Sequence, residues 1–227
     1  MFPIGDDNVR TARPSFVNIL LIVLNVIVFL YQVTLTPDAA QAFVNNYGVI
    51  PVEILQGSSL VTLITSMFLH GGWLHLIGNM MFLWVFGDNI EAVLGHFGYL
   101  LFYLAGGLAA SAAHILLNPD SAIPSVGASG AISAVLGAYV VMFPGSRIRT
   151  IVLTFGIFIT YVSALIFLGV WFLTQLFSGV ASIGAQTAQT GGVAFWAHIG
   201  GFVFGLLAGF LLRGRVGRLM SGRQRAY

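Results

Sequence analysis

Apolar residues run in long blocks along this chain, and the polar residues fall in the gaps between them. The first block, Phe16 to about Val33, follows a polar segment, residues 1–13, and is long enough to cross a bilayer as a helix. Ala40-Gln41-Ala42 resembles a signal-peptide cleavage site, but the block exceeds the usual h-region length, so we read it as a span. Thr36 to Ser59 is a mixed connection in which Pro37, Asp38, Pro51 and Glu53 interrupt apolar pairs, and it reads as a loop lying partly in the interface. Leu60 to Phe86 is longer than one span requires and is broken at His70-Gly71-Gly72. It divides into a short helix before the break and a second span from about Gly72 to Ile90.

Phe97 to Leu117 forms a third span, ended by Asn118-Pro119-Asp120, which cannot continue a helix in lipid. The fourth, Ser129 to Phe143, stops at Pro144-Gly145. At about 1.5 Å per residue it reaches only ~22 Å, short of a hydrocarbon core of ~30 Å, so one of its ends lies below the membrane surface. The fifth span falls within Ile148 to Phe177, a block long enough to imply tilt or a projecting end. Gly179 to Gly192, rich in Gly, Ala, Ser, Thr and Gln, reads as a mobile loop, and Val193 to Leu212 as the sixth span. The pattern predicts an all-α polytopic membrane protein of six transmembrane helices. Its parts are a short cytoplasmic segment (1–13), a membrane domain (14–213) and a basic cytoplasmic tail (214–227).

Composition agrees with the pattern. Of 227 residues, 58% are hydrophobic and only 7% charged, with a mean hydropathy of +0.95, well outside the range of soluble domains. Without cysteine there is neither a disulfide, a thiolate metal site nor a cysteine nucleophile. All nine basic residues are arginine. They sit beside apolar blocks, so the pI near 9.2 reads as a topology signal rather than as nucleic-acid binding. Six spans put both termini and the connection between spans four and five on one side, and every arginine falls there: Arg10 and Arg13, Arg147 and Arg149, and Arg213 onward. The other side holds Asp38, Glu53 and Asp120. By the positive-inside rule the termini are cytoplasmic.

That topology starts spans two, four and six on the outer side, which gathers four polar residues into one layer: His75 and Asn79, Ser129, and His198. Polar groups at that depth are costly unless they face one another or a water-filled cavity. His198, Gly201, Gly205 and Gly209 share one helix face, as do Ser129, Ser133 and Gly137, and small residues at this spacing let two helices approach closely. A serine on one such face opposite a histidine on another is the arrangement of a nucleophile and its general base. His75 and Asn79, one turn apart, suit the donors of an oxyanion site, to which the Ser129 backbone N–H at a helix start can add another. His70 lies five residues before His75 with no acid between them, which excludes an HExxH zinc site. We read His70 as a structural residue, and no metal or cofactor is implied.

His70-Gly71-Gly72-Trp73-Leu74-His75 with Asn79, Gly127-Ala128-Ser129-Gly130, and Ala197-His198-Ile199-Gly200-Gly201 together closely resemble the rhomboid family of intramembrane serine proteases, in order through about Phe16 to Arg213. The resemblance implies a rhomboid-like helical bundle in which Ser129 is the nucleophile and His198 the base of a dyad without an Asp. It also assigns His75 and Asn79 to the oxyanion site, around which we read Gly127, Gly130, Gly201 and Gly205 as structural residues. Transmembrane proteins would be the substrates, admitted laterally from the bilayer near span five beneath a cap at Gly179 to Gly192.

Two departures stand out. Where many members have an aromatic residue four positions after the nucleophile, packed on the catalytic imidazole, this chain has Ser133, so support for the His198 ring must come from elsewhere. The Trp-Arg pair of the first external loop is also absent. We expect the minimal six-span form in a bacterial plasma membrane, since no clear transit peptide is present. The competing readings are a transporter or channel, which lacks repeated halves and a mid-span acid, and a non-catalytic rhomboid-like protein that binds substrates.

Overall fold

The computed structural model describes residues 1–7, 15–153, 157–184 and 194–216. Arg10, Arg13, Arg218, Arg223 and Arg225, most of the loop expected at Gly179 to Gly192, and the end of the tail lie outside the described residues. A short strand β1 (Phe2–Asp6) precedes α1 (Phe16–Gln32), and the connection after it folds into α2 (Pro37–Tyr47) and α3 (Pro51–Leu55). Proline opens both of these short helices, where its fixed φ suits the first turn and its missing N–H is not needed. A further short helix α4 (Thr62–Thr65) and one 3₁₀ turn lead to α5 (Trp73–Leu94), α6 (His96–Leu117) and α7 (Ser129–Met142). Strands β2 (Arg147–Leu153) and β3 (Ile157–Ser163) come next, followed by α8 (Ala164–Gly184) and α9 (Phe195–Leu212).

His96–Leu117, Ala164–Ala181 and Phe195–Leu212 are long and apolar enough to cross a membrane, while Phe16–Gln32 and Ser129–Met142 are shorter apolar helices. Large apolar side chains face outward, among them Leu20, Ile27, Trp84, Leu101, Leu207 and Leu211.

Two expectations need correcting. The fold is mostly helical, as expected, but not wholly so, because β1, β2 and β3 form an antiparallel sheet in that order. Ile148 to Leu153 and Ile157 to Ser163 therefore lie in the paired strands of a hairpin, and the fifth long helix starts only at Ala164. The physical reason is visible in Arg147-Ile148-Arg149-Thr150, where the arginines are exposed and Ile148 and Thr150 are buried, the two-residue period of a strand. Block length alone conceals this, since apolar strand and apolar helix look alike until periodicity and β-branched content are weighed. The later helix start also carries α8 through Gly184, so the first residues expected in the mobile loop are helical.

Half-buried polar contacts fasten the sheet to the bundle, and buried ones fasten the first helix. Asp6 accepts hydrogen bonds from Asn89 Nδ2 of α5 (2.9 Å) and Tyr139 Oη of α7 (2.6 Å). Glu91, 2% exposed, accepts the first-turn amides of α1, Val17 N at 2.9 Å and Asn18 N at 2.7 Å. It thereby satisfies donors that no intrahelical carbonyl can reach. Asn18 in turn accepts from Tyr99 Oη (2.8 Å) and donates to the Leu83 carbonyl (3.0 Å), joining α1, α5 and α6.

At the centre stands α7, nearly every residue of which is buried. Its closest neighbour is α9, along a seam of small residues. A Cβ on Gly201 would run into the Gly130 carbonyl, and one on Gly205 into the Ala134 carbonyl. Without hydrocarbon–water partition to drive helices together inside lipid, such backbone approach supplies the packing. It also sets the distance between the first residue of α7 and the first turn of α9.

Candidate functional site

Ser129 is the first residue of α7. The chain reaches it through Gly127, whose φ of +133° disfavours any L side chain. A Cβ at Gly127 would lie 2.9 Å from His75 Nε2 and 3.5 Å from Ser129 Oγ, so the missing side chain leaves a gap between those two groups. His198 lies in the first turn of α9 and is 8% exposed. Its Nε2 is 2.7 Å from Ser129 Oγ, and its Nδ1 is 2.8 Å from Gln175 Oε1 of α8. An amide oxygen can only accept, so Nδ1 carries the ring proton and Nε2 is left to accept from the serine hydroxyl.

Tautomer logic also orients the second histidine. His75 Nδ1 accepts from the Gly71 backbone N–H at 3.3 Å, which puts its proton on Nε2, the nitrogen beside Gly127. Asn79, one turn along α5 and 8% exposed, uses one N–H toward His70 Nε2 at 3.0 Å. Its amide retains a second hydrogen. The Ser129 N–H, at the first helical position, has no intrahelical acceptor. His75, Asn79, Ser129, Gly130 and His198 line one cavity of about 1070 Å³.

His70 stands behind this group, 2% exposed, in the connection before α5. Its backbone N–H donates to Gln32 Oε1 (3.1 Å) and its carbonyl accepts from Gln32 Nε2 (3.3 Å). Its ring meets Phe29 and His75 edge-on. Burial, with a smaller contribution from His75, pushes the His70 pKa down to about 3, so the ring is neutral and can accept from Asn79.

The structure thus brings Ser129, His198, His75 and Asn79 together and sets His70 next to them. Gly130 packs against Ala110 of α6, and Gly201 and Gly205 lie in the α7–α9 seam. Ser133, on the face where an aromatic was missing, donates its hydroxyl to the Ser129 carbonyl at 2.6 Å. The imidazole instead meets Trp171 of α8, with ring centroids 5.9 Å apart and an interplanar angle of 37°. Gln175 and Trp171 were not expected from sequence. An amide within an apolar block was the available signal, but placing the fifth span within Ile148 to Phe177 put Gln175 at its edge, where a polar residue is unremarkable.

These features define a helical membrane protein with a hydrogen-bonded serine–histidine pair recessed in a cavity among helix N-termini. A family model described as the Rhomboid domain matches residues 57–215, and the chain belongs to the rhomboid family, a family of intramembrane proteases that also includes inactive members. It is 31% identical over 160 residues to RHOMBOID-like protein 6, mitochondrial, of Arabidopsis thaliana, covering 70% of this chain and 46% of that protein. Rhomboid protein 1, mitochondrial, of Saccharomyces cerevisiae is 29% identical over 174 residues, covering 74% of this chain and 46% of the relative. The Rhomboid protease GluP of Bacillus subtilis is 30% identical over 145 residues, covering 63% of this chain and 28% of the relative. The chain spans less than half the length of these relatives. Because they include mitochondrial proteins beside a bacterial one, the expectation of a bacterial plasma membrane finds no support in them.

Proposed function

We propose that this chain is a serine endopeptidase that cleaves transmembrane segments of other proteins inside the bilayer. The observation that carries the reading is the 2.7 Å contact of Ser129 Oγ with His198 Nε2, beside the gap at Gly127 bordered by His75 and in the cavity that Asn79 also lines. Ser129 Oγ attacks the scissile carbonyl as its proton passes to His198 Nε2, and the carbonyl oxygen becomes an anion. The His75 Nε2–H, the remaining Asn79 N–H and the Ser129 N–H are the donors offered to that charge. His198 then gives its proton to the departing amine, and water, activated by the same imidazole, hydrolyses the acyl-serine.

Six spans with both termini cytoplasmic remain our topology, the hairpin being excluded from the fifth. In its support, β1 pairs with β2, so the segment before α1 and the connection after α7 share one side, as the arginine distribution requires. The membrane domain at 14–213 then carries the whole site. Substrate would approach beside α8, whose Leu165, Ile166, Val170, Leu173 and Phe177 are exposed. The cap proposed over it lies largely outside the described residues.

Labelling of the detergent-solubilised chain with a serine-reactive fluorophosphonate tests the reading. Label on Ser129, and cleavage of a transmembrane model substrate that both Ser129→Ala and His198→Ala abolish, are expected. Absence of label and cleavage in the folded wild type would instead support a non-catalytic relative or a transporter.

A further inference from the structure

Gln175 is a side chain outside the proposed catalytic group that hydrogen-bonds the His198 imidazole itself. It lies in the middle of α8, within the membrane-length stretch Ala164–Ala181, where an amide is costly unless its polar atoms find partners. Its Oε1 sits 2.8 Å from His198 Nδ1. One turn earlier on the same face, Trp171 lies against the same imidazole at 5.9 Å between ring centroids. The hydroxyl of Ser133 is turned onto the Ser129 carbonyl, so α7 offers the ring no comparable support.

We propose that Gln175 is a positioning residue: its amide oxygen fixes His198 as the Nδ1-protonated tautomer with Nε2 turned toward Ser129, while Trp171 braces the ring. The inference rests on the dyad reading and deepens it. Nucleophile, base and base-orienting group then come from three different helices, α7, α9 and α8. The base is correctly aligned only while α8 lies against α9. Gln175 is neutral, unlike the carboxylate that fills this role in a Ser-His-Asp triad. It therefore sets direction without adding a charge to hold imidazolium. The other titratable groups facing His198 are His75 of α5 and His114 of α6.

The test uses the full chain in detergent micelles, with histidine ring nitrogens labelled with ¹⁵N and the His198 signals identified by their loss in His198→Ala. In the wild type, His198 should be neutral with the proton on Nδ1. Gln175→Met, nearly isosteric but without an acceptor, should shift that ring toward a tautomer mixture and lower kcat about tenfold, the effect of one neutral hydrogen bond, with KM little changed. Gln175→Glu should restore the Nδ1-protonated tautomer. It should also move the acidic limb of the kcat profile to higher pH, because a carboxylate favours the protonated ring, an effect that packing alone would not produce.

A wild-type His198 protonated on Nε2, or a tautomer unchanged in Gln175→Met, overturns the proposal. If the Met variant does not fold, an unmoved pH profile in Gln175→Glu does so. The nitrogen spectra require no turnover. A wild type that cleaves nothing but shows the Gln175-dependent tautomer would therefore remove the protease reading while leaving the Gln175 contact established.

Discussion

Truncating Asn79 to alanine should impair turnover far more than substrate binding. The amide is buried, and one of its hydrogens is committed to His70 Nε2 at 3.0 Å, whose backbone is held in both directions by Gln32. The remaining hydrogen is thus aimed by a neighbour that cannot easily move. Such a donor is strengthened as the carbonyl oxygen gains charge, and losing one typically costs about 10² to 10³ in kcat, roughly 3 to 4 kcal/mol. Asn79→Ala should fall in that range. His70→Phe, which keeps the amide but removes its acceptor, should lose about tenfold, on the order of one neutral hydrogen bond. His75→Ala should resemble Asn79→Ala, and the double variant should lose less than the sum, because donors serving one anion act as a unit. The assay is kcat and KM for a fluorogenic transmembrane peptide in proteoliposomes, with thermal unfolding as a control. A raised KM with unchanged kcat would assign these residues to ground-state binding and refute the reasoning.

Three further outcomes are expected. Gly205→Val, which forces a side chain into the Ala134 carbonyl, should destabilise by about 1 to 3 kcal/mol and reduce fluorophosphonate labelling; unchanged melting and labelling would show that the seam can open without loss. Because the base must be neutral, kcat should fall as pH is lowered through the pKa of His198, and a rate that, with chemistry limiting, stays constant down to the lowest pH at which the protein remains folded would exclude a histidine base. Glu91→Gln should lower stability by about 1 to 3 kcal/mol through weakened capping of α1 while sparing kcat, as measured by thermal unfolding and turnover of the surviving folded fraction.

The polar residues that converge were legible because lipid makes them conspicuous. Ser129, His198, His75 and Asn79 are costly at membrane depth, and placing spans two, four and six in one direction brings their starts together. Gly201 and Gly205 were legible for a related reason, since their four-residue spacing requires a close neighbour. The hairpin was hidden because Ile148 to Ser163 is as apolar as a span, and only the alternation about Arg147 and Arg149 distinguishes it. Gln175 was lost with it, because its depth in a helix depends on where that helix begins. The support of the His198 ring could not be read at all, because nothing in local spacing says that Trp171 approaches α9 once Ser133 has turned onto its own backbone. The Glu91 cap is equally nonlocal, 74 positions from Val17.

The pairing of β1 with β2 has a consequence for the order in which the molecule can be completed. Asp6 and Tyr139 are 133 positions apart, and Asp7 accepts from the Arg147 N–H across 140. A chain made from its amino end must therefore keep Phe2–Asp6 unpaired until α7 and the following strand have been synthesised. Until then that strand is an exposed edge able to pair with another nascent chain, and loop-closure entropy delays its docking. That late closure is on the face opposite the proposed chemistry, and a bulky fusion close to Met1 would obstruct it without approaching Ser129.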